Sequence, residues 1–279
     1  MKRIVVVVLL IVIAGIAGVV RSHSKSGHFV SFASHNSVDQ VRDEIRQTYQ
    51  LEPGATVEVA GINGAVRVET SDIKTADIYI ERKAESKEAL DHRKITIEAT
   101  AGSLTIRSEK GDSGFFGRLF GSNSSEQVTL KLPRQISLQT KGVNGAVTVG
   151  EIEGSVEVRG VNGRVQIAGA KGTAAFKGVN GNITVGLKEI SADGITLGGV
   201  NGNIDLQLPQ GLNADFEATG INGSVSSSLS DVSIEKDRHG KYSGRIGNGG
   251  SQGITAKGIN GNIRLTRAAL ASASPIAEN

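Results

Sequence analysis

A four-residue motif, Gly-(Val/Ile)-Asn-Gly, occurs seven times in this 279-residue chain. Between the second and sixth copies, successive asparagines lie 18, 18, 21 and 21 residues apart, and the outer intervals of 81 and 38 residues are close to four and two such periods. Self-similarity at a period of about 20 residues is typical of architectures in which each unit packs on its neighbours. The asparagines are Asn63, Asn144, Asn162, Asn180, Asn201, Asn222 and Asn260.

An alternating apolar and polar segment follows each motif. Aligning the copies places a β-branched residue at the same position of every segment, and the residues on either side of it are polar or small. Alternation with a period of two is typical of a strand that buries one face. The aligned apolar column comprises Val147, Val165, Ile183, Ile204, Val225 and Ile263. A second, shorter strand completes each unit, so the sequence predicts an all-β domain.

Two all-β architectures satisfy this pattern. In a β-solenoid-like stack, each coil has 18–21 residues and the asparagines form a ladder along one corner, with the inner ones more buried than a terminal Asn260. In an antiparallel β-meander, each Asn-Gly is a hairpin turn and Val158 would face Ile167. The Asn-Gly pair tolerates the positive φ that either corner needs. The recurrence of Val or Ile before every asparagine favours the solenoid.

The N-terminus predicts export. Lys2-Arg3 precedes Ile4–Val20, which contains nothing more polar than glycine, and a helix of that length spans about 26 Å. The leading cations should stay cytoplasmic, which places the β domain outside the membrane, in the periplasm or outside the cell. The segment (1–21) is either an uncleaved transmembrane anchor, which we favour, or a cleaved signal peptide, in which case the protein is secreted.

Charge and cysteine content exclude several classes of site. Lys2, Arg3 and Arg21 flank the apolar segment, so the remainder holds 31 − 3 = 28 basic residues against 28 acidic ones. A neutral domain lacks the electrostatic footprint of a nucleic-acid-binding protein. The absence of cysteine excludes disulfides, thiolate metal sites and a lipidated cysteine. No cofactor, metal ligand or catalytic residue is predicted.

The remaining segments complete the predicted organisation. We expect a linker over 22–43, a β-repeat domain over 44–267 and a disordered tail over 268–279. Within the domain, Glu81 to Lys94 should be a charged helix or loop, and a hairpin should join Ile95–Ile97 to Leu104–Ile106.

An insertion is expected over residues 108–127. It contains the apolar residues Phe115, Phe116, Leu119 and Phe120 among glycines and serines. These side chains either fold back to plug one end of the β stack or form an exposed tip that contacts a membrane or a partner.

The repeats resemble a known family. The pattern G-(V/I)-N-G-x-(V/I)-x-(V/I), the segment Arg245–Gly249 before the final motif and the opening Leu51–Gly54 are similar to the bacterial "putative-adhesin" domains, a domain-of-unknown-function group also linked with the toastrack name. The resemblance covers about residues 44–267. It implies a β-solenoid-like domain displayed on the bacterial envelope, often beside envelope-stress systems, and it brings no catalytic residues.

Three functions follow from these features. The first is a non-catalytic module that binds or adheres to a surface partner, either an envelope protein or a polysaccharide, while residues 4–20 contact the membrane. The second is a regulatory or sensory accessory protein of an envelope-stress system. The third, a carbohydrate-active β-helix enzyme, would need clustered carboxylates. The acids near the repeats, such as Glu151, Glu157 and Asp205, instead fall singly on outward-facing positions.

Overall fold

The computed structural model describes residues 40–110, 124–250 and 252–268, and in these ranges the chain is all-β. It contains nineteen strands and one short helix, α1 (Lys87–Asp91). The first nine strands are β1 (Val41–Gln50), β2 (Thr56–Ala60), β3 (Val66–Ser71), β4 (Thr75–Ala84), β5 (Arg93–Thr100), β6 (Ser103–Lys110), β7 (Ser124–Pro133), β8 (Ser137–Lys141) and β9 (Val147–Ile152). The others are β10 (Val156–Arg159), β11 (Val165–Lys177), β12 (Ile183–Asn201), β13 (Ile204–Leu208), β14 (Ala214–Asn222), β15 (Val225–Ser227), β16 (Val232–Lys236), β17 (Tyr242–Ile246), β18 (Gly253–Asn260) and β19 (Ile263–Arg267).

The strands that follow the motifs pair side by side and in parallel. Val165 lies opposite Val147 on one side and opposite Ile183 on the other. The spatial order of this first ladder is β7, β3, β9, β11, β12, β13, β19 and β15. Val158 pairs in parallel with Thr140 and Phe176, so the antiparallel register that a meander would give to Val158 is not found.

The strands that precede the motifs form a second parallel ladder. Its spatial order is β6, β2, β8, β10, the last part of β11, the last part of β12, β18 and β14. Each motif therefore joins a strand of one ladder to a strand of the other. We name the edge formed by the seven motifs the asparagine corner.

Antiparallel strands lie at both ends of the two ladders. At one end, β4 pairs with β7 and β1 with β4, while β5 and β6 form the predicted hairpin. At the other end, β17 pairs with β14 and β16 with β17. These additions account for the two long intervals between motifs. The first and second motifs are direct neighbours in space, so the 81-residue interval does not hold four further units between them.

Both ladders bury their apolar faces in one core. The predicted column is buried from Val147 to Ile263, whereas Val225, in the last strand of its ladder, is only half-buried. Phe176 is the largest of the fully buried side chains. Removing this much β-branched and aromatic surface from water is the main stabilisation available to a chain without disulfides.

Several expected boundaries shift. The first strand begins at Val41, three residues before the expected start of the domain at residue 44. The expected charged segment Glu81 to Lys94 begins within β4 and ends within β5, and between these strands it contains the five-residue helix α1 with Ser86 as its N-cap. Strands β6 and β7 both extend into the expected insertion, and Phe115, Phe116, Leu119 and Phe120 lie outside the described residues. The expected membrane segment, Ile4–Val20, also lies outside them. In the part of the chain that is described, no helix has the length and apolarity needed to cross a membrane.

Candidate functional site

The asparagine corner is built from four positions with different roles. The first glycine of every motif has a positive φ, between 60° and 72°, so the sharp turn is made there. The next residue, such as Val143 or Val179, is buried and fills the core beneath the corner in every motif except the sixth, where Ile221 is half-buried. The final glycine is needed because the units approach closely: a Cβ on Gly163 would lie 2.3 Å from the backbone oxygen of Gly145.

The seven asparagine side chains form one hydrogen-bonded ladder. Asn180 donates through Nδ2 to Oδ1 of Asn162 at 3.1 Å, and its own Oδ1 accepts from Nδ2 of Asn201 at 3.1 Å. At the first end, Asn63 donates to the backbone oxygen of Ser124 at 2.6 Å. The order in space is Asn63, Asn144, Asn162, Asn180, Asn201, Asn260 and Asn222, with every donor to acceptor distance between 2.9 and 3.1 Å.

Two expectations about these asparagines are wrong. The inner side chains are exposed rather than buried, because the preceding Val or Ile takes the inward position and the amide is left on the rim. Asn260 is not terminal: it lies between Asn201 and Asn222, and Asn222 ends the ladder. The corner therefore presents a continuous row of amide groups to solvent.

A second, shorter ladder runs beside the first. It uses the residue that follows each motif, and its asparagines accept from the backbone of the next unit. Asn182 Oδ1 accepts from the backbone N–H of Asn203 at 3.0 Å, and Asn203 Oδ1 accepts from that of Asn262 at 3.0 Å. Ser224 donates to Asn262 through both its backbone N–H and its hydroxyl, at 3.0 and 2.9 Å.

A buried ion pair closes the first end of the corner. The Glu126 side chain is 1% exposed, and its Oε1 lies 3.0 Å from Nε of Arg93. Ser108 donates its hydroxyl to the same oxygen at 2.6 Å, and Oε2 accepts from the backbone N–H of Asn63 at 3.2 Å. Arg93 also donates to the backbone oxygen of Gly61 at 2.7 Å. The cluster holds the first motif in place because Glu126 binds the backbone of Asn63 and Arg93 binds the backbone of Gly61.

Several of the outward-facing acids near the corner are paired with cations, whereas Asp205 accepts a hydrogen bond from the hydroxyl of Thr266 at 2.9 Å. Glu58 lies 2.8 Å from Nζ of Lys141 and 3.0 Å from Nη2 of Arg107. The hydrogen bond from Lys141, followed by that from Arg107, lowers the pKa of the Glu58 carboxyl below its ordinary value. Glu151 pairs with Lys188 at 3.0 Å. These contacts are those of structural ion pairs on a solvated face.

A row of cations runs beside the asparagine corner, on the outward face of the second ladder. It is formed by the residue that immediately precedes the motif in several units. Strand register places its members in the order Arg107, Ala60, Lys141, Arg159, Lys177, Gly198, Lys257 and Thr219. We name these positions the cationic row. The total charge gives no sign of the cationic row. Aligning the residue before each motif reveals the row in the sequence.

Two shallow cavities lie away from the corner. One, of about 480 Å³, is lined by the segment Pro209–Asn213 together with Lys188, Glu189 and neighbouring residues. The other, of about 660 Å³, lies over β1, β4 and β7 and is lined by Arg46, Asp77 and Tyr79 among others. Each of them contains a single carboxylate in its lining. Within the described ranges, no group of three or more His, Asp or Glu side chains is placed to hold a metal ion.

Comparisons with known proteins give structural likeness without a family assignment. No family model matches the chain, and no curated protein sequence matches it. A "putative cell adhesion protein" from Clostridium sporogenes is similar over 81% of this chain and 100% of its own, with 11% identity and a TM-score of 0.33. A "putative adhesin" from Bacteroides fragilis covers 80% of this chain and 97% of its own, with 13% identity and a TM-score of 0.33. A "putative lipid binding protein" from Parabacteroides distasonis covers 81% and 95%, with 12% identity and a TM-score of 0.24. These values are too low to carry a functional argument.

Proposed function

We propose that the chain is a non-catalytic binding module of the bacterial envelope, whose β-repeat domain is a solenoid-like stack of 18–21-residue coils. The observation that carries the proposal is the asparagine corner, where the same amide recurs in register through seven units and is exposed in all of them except the first, where Asn63 is half-buried. Strand spacing places these groups about 4.8 Å apart. Such a linear array is suited to a partner that is itself extended or repetitive.

The arrangement of the outer surface supports binding over chemistry. Contacts that repeat along a rigid stack add through multivalency, so individually weak polar contacts give useful affinity. The acids beside the corner hold cations at ion-pair distance, as Glu58 and Glu151 do. A catalytic acid or base would instead need a pKa tuned by burial or by a like charge.

The proposed location follows from the N-terminus. Lys2-Arg3 and the apolar run Ile4–Val20 support insertion in the cytoplasmic membrane with the β domain outside. The partner is then an envelope protein or a polysaccharide. The membrane is contacted through residues 4–20, and the module needs no cofactor.

Retention by envelope material tests this function. Full-length protein in a mild non-ionic detergent is mixed with the insoluble envelope fraction of the expressing bacterium, and co-sedimentation is measured against protein concentration. The proposal predicts saturable retention and no release of soluble sugar from the pelleted polymer. A matched variant with Asn162, Asn180 and Asn201 each changed to Gln should fold but bind less, because longer side chains break the register of the amide array.

Three results would contradict the proposal. Retention no greater than that of an unrelated detergent-solubilised protein would remove the binding role. Release of soluble saccharide that stops after one Asp or Glu to Ala change would favour the carbohydrate-active enzyme. Capture of a signal-transducing membrane protein alone, with no polymer retained, would favour the regulatory role.

A further inference from the structure

We propose that the cationic row binds an acidic polysaccharide, with Lys177 and Lys257 as its central contacts. This inference rests on the proposed function and names the chemical class of the partner. Both lysines are exposed, and strand register places Gly198 between them. Two strand spacings separate their backbones by about 9.5 Å.

These two lysines differ from the other cations of the row. Arg107 and Lys141 are bound to Glu58, and Arg159 is bound to Glu157. Among the described residues, neither Lys177 nor Lys257 has an acidic side chain within ion-pair distance. The two lysines lack an acidic partner because the positions two residues earlier on the same face of these strands are not acidic. These positions are Ala175, Thr196 and Thr255.

An acid on each of the two strands that flank this pair already forms an ion pair. Glu157 on one side is bound by Arg159, and Glu217 on the other is bound by Lys241 at 3.1 Å. The centre of the row therefore carries two positive charges that the protein does not neutralise. An anionic ligand lying there would gain charge-assisted contacts without displacing an internal ion pair.

The position between the two lysines carries no side chain. A Cβ added to Gly198 would meet only Cγ of Lys177, at 4.0 Å, so glycine is not required there by crowding. Gly198 therefore adds no side chain between the two lysines, and the exposed residue Thr196 lies two residues earlier on the same face. On the other side lies the exposed amide ladder of Asn180, Asn201 and Asn260.

This combination favours a polysaccharide over other anionic polymers. Ammonium groups in a line suit carboxylates that recur along an extended chain, and the flanking hydroxyl and amide groups suit sugar hydroxyls. Single-stranded nucleic acid is held largely by stacking on exposed aromatic rings, whereas the aromatic residue beside Lys177, Phe176, is fully buried. An anionic membrane surface is less suited to this site, because it is wider than a single row of cations. It would also bring the carboxylates of Glu58 and Glu157 close to anionic lipid.

The experiment measures binding of full-length protein, in non-ionic detergent, to immobilised polygalacturonate and to its neutral methyl ester. The test variant carries Lys177→Gln and Lys257→Gln. The control carries Lys171→Gln and Lys188→Gln, which removes the same charge from lysines paired with Glu189 and Glu151 elsewhere on the surface. All four positions are exposed, and equal melting temperatures verify that both variants fold.

We expect the wild type to bind the polyuronate, and to bind it more weakly as salt rises. The test variant should lose about tenfold in affinity, since two ion pairs together contribute about 1.4 kcal/mol, while the control should lose less than about twofold. Equal losses in the two variants, equal binding to the methyl ester, or tighter binding to duplex DNA or to anionic phospholipid vesicles would overturn the inference. Retention by envelope material that survives the Lys177 and Lys257 changes would also overturn it, while leaving the proposed function standing.

Discussion

Asn260 donates its side-chain amide to Oδ1 of Asn201 at 2.9 Å, although 59 residues separate the two in sequence. It also accepts from Asn222, 38 residues before it, at 3.0 Å. The last motif of the chain therefore sits between the fifth and the sixth. After β15, the chain forms the β16–β17 hairpin over the outer side of β14, then returns to place β18 between β12 and β14. The final unit therefore lies inside the strand order of the ladders and not at their end.

Replacing an inner asparagine of the amide ladder should lower the free energy of unfolding more than replacing the asparagine at its end. Asn180 makes two side-chain bonds within the ladder and Asn222 makes one. Because the side chains are exposed, water replaces part of what is lost, and we expect Asn180→Ala to lower the free energy of unfolding by about 1–2 kcal/mol. Asn222→Ala should cost about half as much. Urea unfolding of both variants measures this, and equal costs would contradict the ladder.

Close approach of the units predicts a second difference. Gly163→Ala would place its Cβ 2.3 Å from the oxygen of Gly145, and backbone atoms in paired strands cannot move aside singly. We expect a loss of about 3 kcal/mol or more. Gly198→Ala is the matched control, since its nearest contact would be at 4.0 Å, and it should change stability by less than about 0.5 kcal/mol. Thermal unfolding of the two variants distinguishes them; similar melting temperatures would be inconsistent with this packing.

Removing the ion pair between Glu126 and Arg93, next to Asn63, should lower the stability of the fold more than removing most other polar contacts. Glu126→Ala leaves Arg93 partly buried without its charge partner, and we expect a loss of about 3–5 kcal/mol. Glu109, whose side chain is 62% exposed, supplies the control. Glu109→Ala should cost less than about 0.5 kcal/mol. A Glu126→Ala protein as stable as the control would show that the pair contributes nothing to the first motif.

Acidic pH should weaken the contact of Glu58 with Lys141 and Arg107. The pKa of this carboxyl is lowered in the folded state from an ordinary value of 4.5, so its stabilisation is fully present above that pH. It is lost as pH falls below 4.5 through the lower folded pKa. The difference in unfolding free energy between wild type and Glu58→Gln should thus be about 1 kcal/mol at pH 7 and vanish at strongly acidic pH. A difference that grows on acidification would contradict this assignment.

Much of the fold is predictable from local periodicity. Alternation places Val147, Val165 and Ile183 on one face, and the shared column indicates that these residues are neighbours, because each unit can bury that face only against another. The order of the units is not predictable in this way. Since the seven motifs are nearly identical, nothing in their residues distinguishes Asn222 from Asn260 as the neighbour of Asn201. The β16–β17 hairpin determines that choice.

The site was predictable only in part. The motif identifies the asparagines, but their exposure depends on the turn geometry set by the first glycine. The partners Arg93 and Glu126 are 33 residues apart and lie in β5 and β7, which do not pair with each other, so no local pattern relates them. The cationic row had a usable signal, because Lys or Arg precedes the motif in four of the seven units: Lys141, Arg159, Lys177 and Lys257.

Engineered disulfides test the order of the units most directly. The chain has no cysteine, so each pair of substitutions reports on one contact. Thr255 pairs with Thr196 on one side and with Glu217 on the other. Backbones in adjacent strands lie about 4.8 Å apart, within reach of a disulfide, whereas two strand spacings are not. On oxidation of the folded protein, we predict crosslinking in the Thr196→Cys, Thr255→Cys pair and none in the Thr196→Cys, Glu217→Cys pair. Crosslinking of the second pair but not the first would show that the units are arranged in sequence order. The order β12, β18, β14 would then be wrong.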